Sequence, residues 1–163
     1  MENFSLHADV RRHLAPARAE VDVPTLRAWC REVEDHVVSA DLQDARVLAG
    51  FQHLSRVQGV LDRYRRVLDV AGEVTLFGIG DHSWHADLPG VREVSLPDID
   101  LAHEWFVVVD TPSEPSLLVA RPVDGGRYDV VRSRDAWVVE AAAAALDARW
   151  VGSISLRPTN TRV

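Results

Sequence analysis

The stretch AHEWFVVVDTP, residues 102–112, decides the fold. Phe106 to Val109 form an unbroken apolar run, which is typical of a strand covered on both faces. Glu104 and Asp110 lie at its two ends, roughly 20 Å apart at about 3.3 Å per residue. Two carboxylates that far apart cannot act as an acid–base pair on one bond, which needs roughly 5–10 Å. The sequence therefore predicts a central core strand that begins and ends in water.

Five more strands are predicted from alternating or apolar runs bounded by turn residues. They cover residues 45–52, 73–80, 91–96, 116–123 and 127–133. The strand–helix–strand unit at 45–80 favours one parallel pair, because a parallel connection needs a crossover. The later strands are joined by short turns, such as DGG at 124–126, and we expect them to pair antiparallel.

Four helices are predicted from apolar residues that recur every three or four positions. They cover residues 5–15, 24–40, 54–71 and 134–150. The core face of the second helix carries Leu26, Trp29, Cys30, Val33 and Val37, and that of the last carries Val139, Ala142, Ala143, Leu146 and Trp150. Glu34 falls on the outer face of the second helix, where an ion pair with a nearby arginine would contribute only about 0–1 kcal/mol.

The order of these elements predicts an α+β fold, with a mixed, mostly antiparallel sheet of about five or six strands and helices packed on it. Residues 1–23 are interpreted as an N-terminal helical extension and linker. Residues 24–150 would form the compact domain, and residues 151–163 a C-terminal tail with weak structural signals.

Charge and composition exclude several classes of partner. The 163 residues carry a net charge of -7, which repels nucleic-acid phosphates and anionic lipid alike. Cys30 is the single cysteine, so no internal disulfide forms, which fits a reducing cytoplasm. Neither a signal peptide nor an apolar run of the roughly 20 residues that span a bilayer is present in the sequence. We therefore expect a soluble, cytoplasmic protein.

Catalytic and metal-binding patterns are weak. His82, His85 and Asp87 in the loop 81–90 could bind a divalent metal and support a metal-assisted hydrolase, but a polar loop that happens to hold two histidines is more common. Cys30 lies on an apolar helix face, where a thiol is inert, and no nucleophile elbow or P-loop is present. The sequence thus predicts no catalytic residue and no metal ligand.

Aromatic and polar side chains at strand ends are the better candidates for a binding site. Trp84, Trp105 and Trp137 do not fit the core pattern, so they indicate either a ligand pocket or a dimer surface, although Trp84 could equally fold back onto the core. Gln52, at the end of a buried strand, could point into a pocket or cap the following helix. The outer arginines of helix 54–71 could hold an anion, but a solvated face is more common. They are Arg56, Arg63 and Arg66.

Four stretches resemble, in their order and spacing, the DICT family of sensory domains in bacterial and archaeal signalling proteins. They are TLRAWCREVEDHVV with Glu34–Asp35, VLAGFQHLSRVQGVLDRYRRVL with Phe51–Gln52, HEWFVVVDTP, and GGRYDVVRSRDAWVVEAAAAAL. The resemblance covers roughly residues 24–150. It implies a non-catalytic input module that responds to a small molecule or to light. It also implies an output protein or fused output domain, of a two-component or transcriptional type, as partner.

The leading hypothesis is therefore a sensor whose ligand binds between the sheet and a covering helix or loop. Its predicted ligand-binding residues are Phe51, Gln52, Trp84, His85 and Trp105. The identity of any ligand or cofactor is left open. The alternative is a protein–protein interaction or dimerisation scaffold built on the spare tryptophans.

Overall fold

The computed structural model describes residues 2–12, 17–80 and 87–151. The strands are β1 (Ala17–Val21), β2 (Arg46–His53), β3 (Glu73–Ile79), β4 (Arg92–Ser95), β5 (Trp105–Asp110), β6 (Ser116–Val123) and β7 (Arg127–Ser133). The α-helices are α1 (Leu6–Arg11), α2 (Val23–Ser39), α3 (Leu61–Val70) and α4 (Ala136–Leu146). None of these helices is long and apolar enough to cross a membrane.

The seven described strands form one mixed sheet in the order β1-β7-β6-β5-β2-β3-β4. The strand predicted as central, β5, lies in the middle of it. The β2–β3 pair is parallel, as the strand–helix–strand unit predicts, and four of the six pairings are antiparallel. The α+β class and the mostly antiparallel sheet are thus confirmed. The prediction for β4 was wrong, because β4 pairs parallel with β3 and does not touch β5.

The seventh strand comes from a segment that the sequence indicates to be a linker. β1 pairs antiparallel with β7, with Ala17 opposite Arg132 and Val21 opposite Tyr128. It is an edge strand, and only Val21 is buried in it. Apolar and charged residues alternate in Ala17–Val21, but two of the three apolar side chains are alanines, so this short pattern is too weak to indicate a strand without its pairing partner.

The helices cover the sheet on both faces, so the four central residues of β5 are buried. Phe106 and Val108 pack into a core beneath α1 and α4, whereas Val107 and Val109 pack into a core beneath α2 and α3. This division follows from the alternation of side chains along a strand. All five residues assigned to the core stripe of the last helix are buried.

The helix predicted at 54–71 begins with a 3-10 segment, Leu54–Val60, before α3 starts. The apolar residues Leu54, Val57, Leu61, Tyr64 and Leu68 recur at three- and four-residue steps, which predicts one buried face. Leu54, Val57 and Tyr64 are fully buried, whereas Leu61 and Leu68 are only half-buried. Because a 3-10 helix has three residues per turn, the apolar face of the 3-10 segment is not in line with the apolar face of α3.

The start of β5 is the clearest departure from the predicted core strand. Glu104 is 1% exposed and does not lie in water. Its carboxylate accepts hydrogen bonds from Ser5 Oγ at 2.5 Å and from the backbone N–H of His7 at 3.1 Å. α1 therefore covers this end of the strand. The sequence could not show this, because nothing in residues 1–23 indicates where that helix packs.

Candidate ligand-binding site

A cavity of about 590 Å³ lies between α2, the 3-10 segment and the adjoining ends of β2 and β5. It is lined by two aromatic side chains, Phe51 and Trp105, and by Val107 on the same face of the sheet. Gly50 and Phe106 also line it, but the Phe106 ring packs in the core on the opposite face. The sheet register explains this grouping, since Phe51 is the direct cross-strand partner of Trp105. The cavity thus brings together two of the five predicted ligand-binding residues.

Four arginines from three covering elements line the same cavity. They are Arg27 and Arg31 on α2, Arg56 on the 3-10 segment and Arg63 on α3. The first three are exposed and the side chain of Arg63 is 20% exposed, so the rim is cationic and one guanidinium reaches inward. Of the three arginines that the sequence offered as an anion site, two line the cavity. Arg66 is exposed and is not among its lining residues.

The polar floor of the cavity is formed by Glu34 and Arg63, and Glu34 is also hydrogen-bonded to the buried Tyr64. Arg63 donates to Glu34 Oε1 at 3.1 Å, and the Tyr64 hydroxyl donates to Glu34 Oε2. Burial raises the pKa of Glu34, while the Tyr64 hydrogen bond and the Arg63 charge act in the opposite direction. Burial and the nearby Glu34 carboxylate raise the pKa of Tyr64 well above its usual value, so its hydroxyl remains a donor.

The assignment of Glu34 to the outer face of α2 was wrong. Glu34 is 3% exposed, because α3 packs over that side of α2 and contributes Tyr64 and Arg63 as partners. A buried, doubly hydrogen-bonded carboxylate differs from an exposed ion pair, since removing one partner leaves the other without compensation. The period of α2 alone could not show which polar residue the next helix would cover.

Gln52 ties the rim of the cavity to the turn before β5 and to β7. Its Nε2 donates to the carbonyl oxygen of His103 at 2.8 Å and to Tyr128 Oη at 3.2 Å, and its Oε1 accepts from Arg56 at 2.5 Å. It has a positive φ of 65°, at the bulge where the pairing of β2 with β3 shifts register. Its side chain therefore neither lines the cavity nor caps the helix. It positions Arg56, which does line the cavity.

Trp105 is held by two contacts at the edge of the cavity. Its ring stacks on Tyr128 with centroids 5.6 Å apart, and the Arg56 guanidinium lies 5.5 Å from its centroid. Its indole Nε1 is buried and has no hydrogen-bond partner among the described residues. A buried N–H of this kind is a spare donor inside the molecule.

The remaining candidates lie apart from this cavity or outside the described residues. Trp84, His85 and His82 fall in the undescribed range 81–86, and Asp87 is exposed. Among the described residues, no group of three or more histidine, cysteine or acidic side chains could hold a metal ion. Cys30 lines the cavity, and burial strongly raises the pKa of its thiol, as expected for an inert cysteine.

A second cavity of about 500 Å³ lies between α2 and the ends of β6 and β7. It contains none of the predicted site residues. Trp29 is half-buried there rather than fully in the core, and the Arg132 guanidinium lies 3.6 Å from its ring centroid. His36 and Glu114, which also line this cavity, form an exposed pair at 3.0 Å. We take the first cavity as the candidate site because it joins aromatic, cationic and buried polar groups.

Comparison with known proteins gives a fold neighbour and a family. A polyphosphate kinase from Porphyromonas gingivalis has a similar fold, with a TM-score of 0.53 and 12% sequence identity. The match covers 83% of this chain and 23% of the kinase, so the chain spans less than a quarter of that protein. At this identity the likeness shows the fold alone. No curated protein matches the chain.

The family comparison covers most of the sheet and the whole candidate site. The family model of DICT, described as a sensory domain in diguanylate cyclases and two-component systems, matches residues 5–122. That range includes α1 and β1 as well as three of the four stretches that carry the sequence resemblance, and the fourth, at residues 125–146, lies beyond it. The chain therefore belongs to the DICT family of sensory domains.

Proposed function

We propose that this domain binds a small ligand in the cavity above Phe51 and Trp105 and passes the bound state to an output. One observation carries the proposal: a cavity of about 590 Å³ combines aromatic walls, a cationic rim and a buried hydrogen-bonded floor. Pockets of this size with a few convergent polar groups are the usual form of small-molecule sites. The proposed role is recognition rather than catalysis.

Two adjacent residues of β5 offer a route from the ligand to α1. Trp105 lines the cavity, and Glu104 points to the opposite face of the sheet, where it holds Ser5 and His7 of the N-terminal segment. A ligand that displaces the Trp105 ring would change the position of the Glu104 carboxylate. Binding would then bias α1 between two arrangements, provided that the ligand prefers one of them.

The proposed partner is an output module, either fused to this domain or supplied by another protein. The family description, with its diguanylate cyclases and two-component systems, supports this type of output, and a transcriptional output is a further proposal. We place the domain in the cytoplasm because Cys30 is a free thiol. The net charge of -7 argues against direct contact with nucleic acid or with an anionic membrane.

The experiment is a thermal-unfolding screen of the protein against fractionated cell-extract metabolites. A ligand at 100 times its Kd adds about 2.7 kcal/mol of stability, which raises the melting temperature of a domain this size by roughly 5–10 °C. Val60→Trp fills the cavity and should abolish the shift. Ala144→Trp places the same ring on the exposed side of α4 and should retain it. If no fraction stabilises the protein, or if Val60→Trp responds like the unmodified protein, the proposed site is wrong.

A scaffold function is the second candidate, and the exposure of Trp137 favours it. This side chain is 76% exposed on α4, on the side of the sheet away from the cavity. Light scattering on Trp137→Ala would separate the two functions. Loss of assembly without loss of the ligand response would establish a dimer or hetero-complex surface. If Trp137→Ala has the same molecular mass in solution as the unmodified protein, this surface has no role in assembly.

A further inference from the structure

The cavity is strongly cationic within an acidic chain. Four arginines and a single carboxylate line it, which leaves a surplus of at least three positive charges. The chain as a whole carries a net charge of -7. A concave site lined by one sign of charge concentrates ligands of the opposite sign. The distribution of charge therefore bears on what the cavity binds.

The two arginines of α2 have no structural use that the described residues reveal. Arg27 and Arg31 are exposed and stand four residues apart on one helix face, a like-charged spacing that destabilises a helix by a few tenths of a kcal/mol. Among the described residues, no carboxylate lies within 4 Å of either guanidinium. Their charges are thus available to a bound molecule.

The other two arginines are already engaged, although differently. Arg63 is paired with the buried Glu34 carboxylate at 3.1 Å and offers little free charge. Among the described residues, Arg56 contacts two neutral groups, the Gln52 amide oxygen and the Trp105 ring, and neither contact neutralises its charge. Three uncompensated guanidiniums therefore surround a cavity whose walls include the rings of Phe51 and Trp105.

We propose that the cavity recognises an organic anion: a planar ring lies against Phe51 and Trp105, and its carboxylate or phosphate is held by Arg27, Arg31 and Arg56. Guanidinium groups match both anions through paired hydrogen bonds, whereas the rings supply apolar contact area. This inference rests on the proposed function, because it names the ligand class of the same cavity. A neutral or cationic ligand would leave the three guanidiniums unpaired.

The test compares two fluorescent probes with nearly the same rings and different charge. 8-Anilinonaphthalene-1-sulfonate carries one anion, whereas N-phenyl-1-naphthylamine carries none. We expect the sulfonate to bind about tenfold more tightly, since charge-assisted hydrogen bonds are the stronger kind. Higher ionic strength should weaken the binding of the sulfonate and leave the binding of the neutral probe unchanged, because salt screens the charges at the rim. Equal affinities would overturn the inference while leaving a ligand site in place.

Variants locate the charge effect. Arg27→Gln combined with Arg31→Gln should lower the affinity for the sulfonate about tenfold or more and leave the neutral probe unaffected. Arg65→Gln combined with Arg66→Gln removes the same number of charges from α3 outside the cavity and should change neither affinity. If this control weakens the binding of the sulfonate as much as the α2 double variant, general charge and not this site attracts the probe, and the inference fails.

Competition then separates the two natural anions and distinguishes the possible failures. Displacement of the bound sulfonate by phenyl phosphate but not by benzoate assigns the site to phosphates, and the reverse assigns it to carboxylates. If neither competes, the organic-anion inference is overturned. If neither probe binds, or if both bind Val60→Trp undiminished, the cavity is not a ligand site and the proposed function fails with it.

Discussion

At the scale of single residues, the candidate site depends on the buried carboxylate of Glu34. Its two oxygens are satisfied by Arg63 and Tyr64, and it forms the floor of the cavity. A buried charge with this many partners is stable only while the partners remain, so the trio should behave as one unit.

Tyr64→Phe should lower the free energy of unfolding by about 1–3 kcal/mol, because it leaves Glu34 Oε2 buried without its donor. In the background of Glu34→Gln the same change should cost less, since an amide oxygen is cheaper to leave unpaired than a carboxylate. Urea unfolding of the four proteins gives the coupling energy. A coupling near zero would show that the trio is not a unit.

The sequence predicts Phe51 and Trp105 as binding residues, because aromatic residues at strand ends can be recognised from the sequence. Both residues line the cavity. It does not predict the burial of Glu34 or the part that Arg27 and Arg31 play. Those depend on α3 and the 3-10 segment packing against α2, which is a contact between elements distant in sequence. The one available signal was the four-residue spacing of like charges on α2.

At the scale of elements, the central strand β5 connects the two faces of the sheet. Glu104 anchors α1 on one face, and Trp105 lines the cavity on the other. The bounds of β5 and β2 follow from their apolar runs, whereas β1 and the 3-10 segment do not. Edge strands and 3-10 turns derive their stability from neighbours rather than from local pattern.

Glu104 should make stability depend on pH with an unusual sign. Burial raises the pKa of Glu104 to about 7, so between about pH 4.5 and 7 the folded protein keeps a proton that the unfolded chain has released. Its contribution therefore falls as pH rises. Burial lowers the pKa of His7 to about 4, so its contribution rises with pH between about 4 and 6.5. The two slopes oppose each other, each by at most about 1.4 kcal/mol per pH unit.

Glu104→Gln keeps an acceptor for Ser5 and should expose the His7 slope, so that stability rises more steeply between pH 4.5 and 6.5 than in the unmodified protein. Urea unfolding across that range measures the difference. Glu140→Gln on the exposed face of α4 is the matched control and should leave the profile unchanged. Identical profiles for Glu104→Gln and the unmodified protein would contradict the account of this contact.

The close approach of β2 to β5 gives a second prediction at this scale. A Cβ on Gly50 would lie 2.7 Å from two ring atoms of Phe106, whose side chain is 1% exposed and has no room to move. Gly50→Ala should therefore cost about 1–3 kcal/mol. Gly59→Ala is the control, because a Cβ there meets nothing within 4 Å. Equal stabilities of the two variants by urea unfolding would refute the predicted clash.

At the scale of the whole molecule, the N-terminal residues are packed into the fold. Phe4, Leu6 and Val10 belong to the core beneath α4, and β1 extends the sheet beside β7. The domain boundary at residue 24 stays a prediction, and the family match begins at residue 5. The resemblance in sequence indicates the family from the order of motifs, but those motifs do not include α1 or β1.

Deleting residues 1–22 tests that boundary. If residues 24–150 were an independent domain, the shortened protein would unfold cooperatively with nearly unchanged stability. We expect it to lose several kcal/mol, because the deletion removes Phe4, Leu6 and Val10 from the core and uncovers the apolar side chains packed against them. Thermal and urea unfolding of the two proteins measure the loss. An unchanged midpoint would restore the interpretation of these residues as an extension.

The most direct test of the central claim is hydrogen–deuterium exchange, with and without the metabolite fraction that raises the melting temperature most. Binding in the proposed cavity should slow exchange in three segments that enclose it. They are residues 27–34, 50–63 and 103–107. Protection confined to α4 around Trp137, or to the second cavity between α2 and the ends of β6 and β7, would contradict the account.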